Sequence, residues 1–438
     1  MNPLANLLDS EPRLSPWSEK LENLKVAIVG FGTVGRSVAR ILSGGHIPQL
    51  RLTHICNRNV HRKRVDWISE SVCWTEDIDD VLASEADFVV ELIGGVEPAG
   101  EWIRRALKSG KSVVTANKQL IARYGAELIG LAHKHGQHLA FGASVAGGIP
   151  VISGLQEGLA GDELVELHGI LNGTCNYILS QIERAGVSFA EALSEAQKLG
   201  FAEADPTEDI DGLDARAKLA ILTRVGLQIR SSVESICAQS ISRIEPIDFE
   251  YAQMLGCTIR QVSRAKKELG QLFASVEPAL VAASSPLAQV DGARNLVVST
   301  GRFGGETVFA GHGAGGDPTA VAVVSDLIAI ARSRPLNRAA FDETDVPELP
   351  ISPDFTSRHY LRFTVKDEPG IIASLAAIFS KFGMNIDSVF QKPGHPASKL
   401  PFVITLEPCP RSLVDRALKQ TTNLNFHVQP CLSLPILT

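Results

Sequence analysis

The 438-residue chain has no CxxC pair, no apolar run of membrane-spanning length, no internal repeat at a fixed period and no excess of positive charge. Its seven cysteines (Cys56, Cys73, Cys175, Cys237, Cys257, Cys409, Cys431) are odd in number, far apart and without histidines at zinc spacing. That excludes a disulfide framework or a structural zinc and points to a reducing compartment. The most apolar stretch, 318–331, is broken by Asp326, short of the ~18 unbroken residues a spanning helix needs, so no membrane role is expected. The first 25 residues show no apolar segment behind a basic start, which reads as no signal peptide and a cytoplasmic location. Forty-two Lys+Arg against 49 Asp+Glu leave a formal charge of -7, the wrong sign for a broad nucleic-acid footprint. What remains is an ordinary globular composition, 45% hydrophobic and 21% charged, in a chain long enough for about three domains.

The patterning divides the chain into unlike parts. Residues 1–23 are polar, with three prolines, and read as a flexible arm. From 24 to 147 short apolar strands (25–30, 51–57, 87–93, 111–118, 138–145) alternate with helical segments, the signature of a parallel sheet covered on both faces. Between 148 and 333 the alternation stops. A strand at 163–172 precedes helices at 174–185, 188–199 and 213–229 and a long one at 248–269. Two strand-like stretches follow, at 271–281 and 295–311, then a helix at 318–333 that is expected to return to the first domain. Residues 334–357, with four prolines and five acids, read as a linker, and 358–438 fit a small βαββαβ, ferredoxin-like unit. The expected class is therefore α/β: a Rossmann-type doubly wound parallel sheet, an α+β catalytic and dimerisation domain, and a C-terminal βαββαβ domain.

Gly30-Phe31-Gly32-Thr33-Val34-Gly35 is a G-x-G-x-x-G between an apolar strand and a helix, the context that gives the motif its meaning. Gly30 permits the tight turn, Gly32 lets a pyrophosphate approach the backbone, and Gly35 lets helix and strand pack closely. The expected cofactor is a dinucleotide. After the second strand, where an acid would bind the ribose 2′-hydroxyl, the chain offers Arg58, Arg62, Lys63 and Arg64, with no acid before Asp66. A guanidinium fork suits a 2′-phosphate, so NADP is expected with NAD possible.

A second concentration of charge lies at 200–218, GFAEADPTEDIDGLDARAK. Five carboxylates crowd 203–211, and Asp214 and Lys218 stand at i, i+4 on one helix face. An acidic loop and a surface ion pair are the ordinary reading of such spacing. The apolar neighbours Ala217, Ala220, Ile221 and Val225 instead hold this face near the interior, where a lysine beside carboxylates can donate a proton. Lys118 follows a strand whose carboxyl end lies at the ligand edge of such a sheet.

Together GFGTVG (30–35), VVELIGG (89–95), VVTANK (113–118), ASVAGGIPVI (143–152), GILNGTCNYIL (169–179), the 200–218 segment and GAGGDPTA (313–320) resemble homoserine dehydrogenases, and the tail resembles an ACT domain. The resemblance implies reversible NAD(P)H-dependent reduction of L-aspartate 4-semialdehyde to L-homoserine, on the route to threonine, methionine and isoleucine. It makes Lys218 the acid/base, Asp214 its orienting partner, and Lys118 a cation between nicotinamide and substrate oxygen. Glu203 would take the substrate ammonium with support from Asp209, and Thr33, Val34 and Gly315 would line the cofactor. The family's monovalent cation (Na or K) is held by a glutamate and the carbonyls of the following loop. Here Gly142 stands at the glutamate position, leaving the backbone of Val145, Gly147 and Ile149, which speaks against a strong cation site. His312 replaces the usual proline before the 313–315 loop. In the tail, Asp367 and Asn385 match effector-contact positions, with threonine the implied effector and a homodimer or homotetramer the implied assembly. The competing class is a non-catalytic NADP-binding amino-acid sensor; an aspartate dehydrogenase would not call for the 200–218 segment.

Overall fold

The computed structural model describes residues 23–333 and 346–437. The expected arm, Asn23 apart, and residues 334–345 of the expected linker lie outside the described residues.

Six strands form the first sheet: β1 (Leu24–Val29), β2 (Leu50–Cys56), β3 (Cys73–Thr75), β4 (Phe88–Glu91), β5 (Ser112–Thr115) and β6 (Leu139–Ala140). They pair in parallel in the order β3-β2-β1-β4-β5-β6, the doubly wound arrangement whose switch point lies beside β1. Alternate residues serve opposite faces. Val26 and Ile28 share a cluster with Val323, Val324 and Leu327 of the helix Gly316–Ser333, which packs back onto this domain. Ala27 and Val29 share another with Ile103 and Leu107 of the helix Ala99–Lys108 and Leu120 of the helix Lys118–Lys134. The fold class is the expected one: a Rossmann-like parallel sheet, a mixed sheet, and a C-terminal βαββαβ domain.

The mixed sheet has eleven strands: β7 (Leu164–Ile170), β8 (Cys237–Ala238), β9 (Cys257–Glu268), β10 (Gln271–Ala282), β11 (Arg294–Gly301), β12 (Gly305–His312), β13 (Ile351–Ser352), β14 (Thr356–Val365), β15 (Ile386–Phe390), β16 (Leu400–Pro410) and β17 (His427–Leu437). Its main path runs β12-β11-β7-β9-β10-β17-β14-β16-β15, with β8 and β13 also on β10. Strands β14–β17 and the helices Ile371–Lys381 and Arg411–Thr421 make the C-terminal domain, cored by Phe363, Phe379 and Phe402. β17 outruns that domain and pairs in parallel with β10 (Leu280↔Ile436, Val281↔Leu437), so one sheet crosses both domains.

Three expectations need correction. The long helix at 248–269 is a helix Pro246–Met254 followed by β9. Gly256 takes φ +68° and ends the helix, and Cys257–Ser263 is buried at every position, so the strand shows no alternation to read. The strand at 138–145 is only Leu139–Ala140, followed by a tight 3-10 turn at Gly142–Ser144. The linker reading fails from Val346 onward. There the Arg230 N–H donates to the Pro347 carbonyl (2.9 Å), the Leu272 N–H donates to the Pro350 carbonyl (3.0 Å), and β13 joins β10. Proline-rich chain can still accept from a sheet edge, because its carbonyls are intact.

Candidate active site

Three elements bring the two lysines together. Lys118 opens the helix Lys118–Lys134, whose N-cap Asn117 accepts from the Leu120 N–H. Asp214 and Lys218 lie on the first two turns of the helix Leu213–Gly226. Leu171 and Asn172 follow β7, and Asn172 caps the helix Gly173–Ala185 by accepting from the Cys175 N–H at 2.8 Å. The Lys218 ammonium donates to Asp214 Oδ2 (2.8 Å) and to the Leu171 carbonyl (2.8 Å), and Lys118 Nζ lies 2.7 Å from Asp214 Oδ1. Asp214 thus bridges both cations. Asn172 Nδ2 donates to Asp214 Oδ2 (2.9 Å) and to Asp209 Oδ1 (2.6 Å), which draws Asp209 into the cluster.

Burial by itself would raise the Asp214 carboxyl, but the ammoniums of Lys218 and Lys118 outweigh it and hold the group well below the usual carboxylate range. Burial works against the Lys118 charge, yet the Asp214 carboxylate raises that ammonium. Asp209 goes the other way: burial raises it, and the Asn172 amide only partly offsets this. The side chain of Lys218 is 12% exposed and that of Lys118 34%, so neither is sealed from solvent. Two of the three Lys218 N–H bonds go to protein, which leaves one for a substrate oxygen.

The glycine loop sits at the switch point. Gly30 takes φ +107°, and a β-carbon there would lie 2.8 Å from the Leu92 carbonyl group. At Gly35 a β-carbon would meet the Gly30 carbonyl oxygen at 2.1 Å, whereas nothing lies within 4 Å of one at Gly32. No side chain caps the helix Thr33–Ser43 that starts there. Open space above uncapped amides is what a pyrophosphate needs. Thr33 and Val34 occupy the first turn, and Gly316, beside Gly315 (φ +125°), packs against Thr33. Asn57 Oδ1 accepts from the Phe31 N–H (2.9 Å), tying the loop to the end of β2. Arg58 is exposed on the next residue.

Other expected residues are more scattered. Glu203 is exposed, and among the described residues its carboxylate makes no hydrogen bond or ion pair; the structure does not join it to the lysine cluster. Asp367 and Asn385 are exposed at opposite ends of the helix Ile371–Lys381, about 16 Å of helix apart. One copy of the chain does not bring them together. Gly142 donates its N–H to Asp326 Oδ2 at 2.8 Å, and burial pushes the Asp326 carboxyl up to about 7. Ala146 holds φ +51°, and the Ile149 carbonyl accepts from the Val151 N–H at 2.7 Å.

Residue-by-residue reading of the sequence missed Asn172, Asn117 and Glu91. Buried Glu91 accepts from the Thr115 hydroxyl and from the Ile93 and Gly94 N–H groups, and the Asn117 amide donates to the Gly95 carbonyl (2.6 Å). Asn before a helix is an N-cap signal and could have flagged the first two; an acid at a strand end gives no comparable cue. Among the described residues no three His, Cys, Asp or Glu converge on a metal site and no helix is long and apolar enough to cross a membrane. All seven cysteines are free.

Residues 150–328 match the family model described as homoserine dehydrogenase, 30–142 its NAD-binding domain, and 359–423 the ACT domain. The homoserine dehydrogenase of Mycobacterium tuberculosis is 41% identical over 379 residues, 84% of this chain and 86% of that protein. A solved homoserine dehydrogenase from Thiobacillus denitrificans matches with a TM-score of 0.88 at 34% identity, covering 94% of this chain and 98% of that one. A hyperthermophilic archaeal homoserine dehydrogenase solved in complex with NADPH matches with a TM-score of 0.62 at 28% identity, covering 71% of this chain and 98% of that one.

Proposed function

The chain belongs to the homoserine dehydrogenase family, and from that premise we propose how its own residues perform the reversible reduction of L-aspartate 4-semialdehyde to L-homoserine. The observation that carries the reading is the Lys218–Asp214–Lys118 bridge. When bound, the nicotinamide dinucleotide supplies the hydride for reduction and takes it back in oxidation. Lys218 gives a proton to the carbonyl oxygen as negative charge grows there, and reclaims it from the hydroxyl in the reverse direction. Lys118 stabilises the same oxygen electrostatically. Asp214 holds the Lys118 charge and pairs with both ammoniums, and Asn172 holds Asp214 and Asp209 in register. Glu203 and Asp209 receive the substrate ammonium.

Gly30, Gly32, Thr33, Val34, Gly35 and Gly315 would hold the dinucleotide, with Arg58 on a 2′-phosphate; this favours NADP, while NAD fits the same cradle. The NADPH complex of the archaeal relative supports that preference. Threonine is the effector, read by Asp367 and Asn385. Because these stand at opposite ends of one helix, a pocket using both takes two copies, which favours a homodimer or a pair of dimers. Seven free cysteines fit a cytoplasmic setting. The Lys118–Asp214–Lys218 pairing supports the enzyme reading over the sensor reading.

The test is steady-state oxidation of homoserine by the full chain with NADP and NAD side by side, with and without millimolar threonine. Turnover with both coenzymes, a lower KM for NADP and inhibition by threonine are expected. No turnover with either coenzyme would refute the enzyme reading. Loss of threonine inhibition in the D367A/N385A double variant tests the effector residues; truncation does not, because β17 is part of the catalytic sheet.

A further inference from the structure

The loop after Gly142 is built in a way that its own hydrogen bonds do not explain. Val145 is fully buried and Gly147 is buried, yet among the described residues no N–H or O–H donates to either carbonyl. Buried carbonyls in folded proteins nearly always find a partner. Between them Ala146 is held at φ +51°, a left-handed conformation that costs an alanine energy and persists only where the surroundings impose it. Two buried acceptors without donors, flanking a strained residue, are suited to a cation that takes hard oxygen ligands. The residues present therefore fit the monovalent ion that family membership implies, except for the carboxylate.

A carboxylate does stand over the position where that side chain is missing. Asp326, on the helix Gly316–Ser333, reaches over Gly142, whose N–H donates to Oδ2 at 2.8 Å. A β-carbon on residue 142 would lie 2.7 Å from Asp326 Oδ1 and 3.1 Å from Oδ2. The aspartate oxygens thus stand in the volume where a side chain at 142 would begin. Among the described residues Asp326 accepts that single N–H and pairs with no lysine, arginine or histidine. A carboxylate so poorly compensated in a buried setting is neutralised either by a proton or by a positive partner, and one negative charge balances one monovalent ion.

We infer that Asp326 replaces the absent side chain at Gly142 as the anionic partner of a sodium or potassium ion held at the Val145 and Gly147 carbonyls. The inference rests on the family membership established above, but its test is separable from the enzyme reading. The thermal unfolding midpoint of the full chain is measured in NaCl, KCl and tetramethylammonium chloride at equal ionic strength. The metal salts are expected to raise the wild-type midpoint by about 2 °C or more, since a ligand bound only to the folded state stabilises it. D326N, which keeps an acceptor for the Gly142 N–H but loses the charge, is expected to abolish the difference. G142E/D326A, which returns the carboxylate from the other side, is expected to restore it. A wild type indifferent to the three salts overturns the inference, as does a D326N variant that keeps the full response or a folded double variant that does not regain it. Homoserine turnover by the wild type in any of the salts upholds the enzyme reading whatever the midpoints show.

Discussion

The lysine cluster and the basic loop after β2 handle charge in opposite ways. Asp214, Lys118 and Lys218 are bonded to one another and to Asn172 and Leu171 before any ligand arrives. Arg58 stands exposed with its guanidinium turned to no protein partner among the described residues. On the proposed roles, groups that deliver a proton at a fixed point are held by the protein itself, at the expense of desolvation, and groups that recognise a ligand's own charge are left in water until it binds. Substitutions in the first region should therefore reduce turnover and stability together, and substitutions in the second should change only affinity.

The largest expected effect is at Lys218. K218M should lower kcat by roughly 10²–10⁴-fold, the usual contribution of a positioned acid/base, while titration of coenzyme fluorescence still reports binding. Unchanged kcat would remove Lys218 from the chemistry. D214N comes next. It leaves two ammoniums facing each other without their shared carboxylate, and denaturant unfolding should report a loss of about 3–5 kcal/mol together with a fall in kcat. If D214N were as stable as the wild type, the cluster would not be the preorganised unit described. R58A should raise KM for NADP by about 10-fold, the order expected for one charge-assisted hydrogen bond, and leave KM for NAD and the unfolding midpoint alone. An equal effect on both coenzymes would place Arg58 away from the 2′-phosphate.

The smallest effect is in pH. Asp214 has a folded pKa below that of the unfolded chain, so its contribution to stability is complete above about pH 4 and drains away as pH falls further. Lys118 is raised, so its contribution is complete below its unfolded value near pH 10.4 and is lost only as pH climbs past the raised value. Between those limits Asp214 and Lys118 should keep their charges. Unfolding midpoints followed from pH 3 to 6 should fall at the acid end in the wild type and less so in D214N; parallel curves would contradict the assignment.

Much of this was legible in the sequence because the signals were local. The glycine loop follows a strand and opens a helix, and Asp214 and Lys218 share a face at i, i+4. Long-range events were not legible. Lys118 reaches Asp214 only because the helix Lys118–Lys134, beside the first sheet, packs against the helix Leu213–Gly226, which lies on the mixed sheet. Asn172 looked like part of a motif, and its grip on two carboxylates appears only in three dimensions. β9 was read as helix because burial on both faces erased its alternation, and β13 was read as linker because two proline-flanked residues carry no periodicity at all. Gly142 pointed to a missing carboxylate; that Asp326 stands over it could not be seen from 184 positions away.

The most direct test is a crystal structure of the full chain with an oxidised or reduced coenzyme and homoserine bound. The account predicts the homoserine hydroxyl oxygen within hydrogen-bond reach of Lys218 Nζ, about 2.6–3.2 Å, with Lys118 on the same oxygen. A hydroxyl bound with its oxygen directed away from both ammoniums, and the reacting carbon still against the nicotinamide, would contradict it.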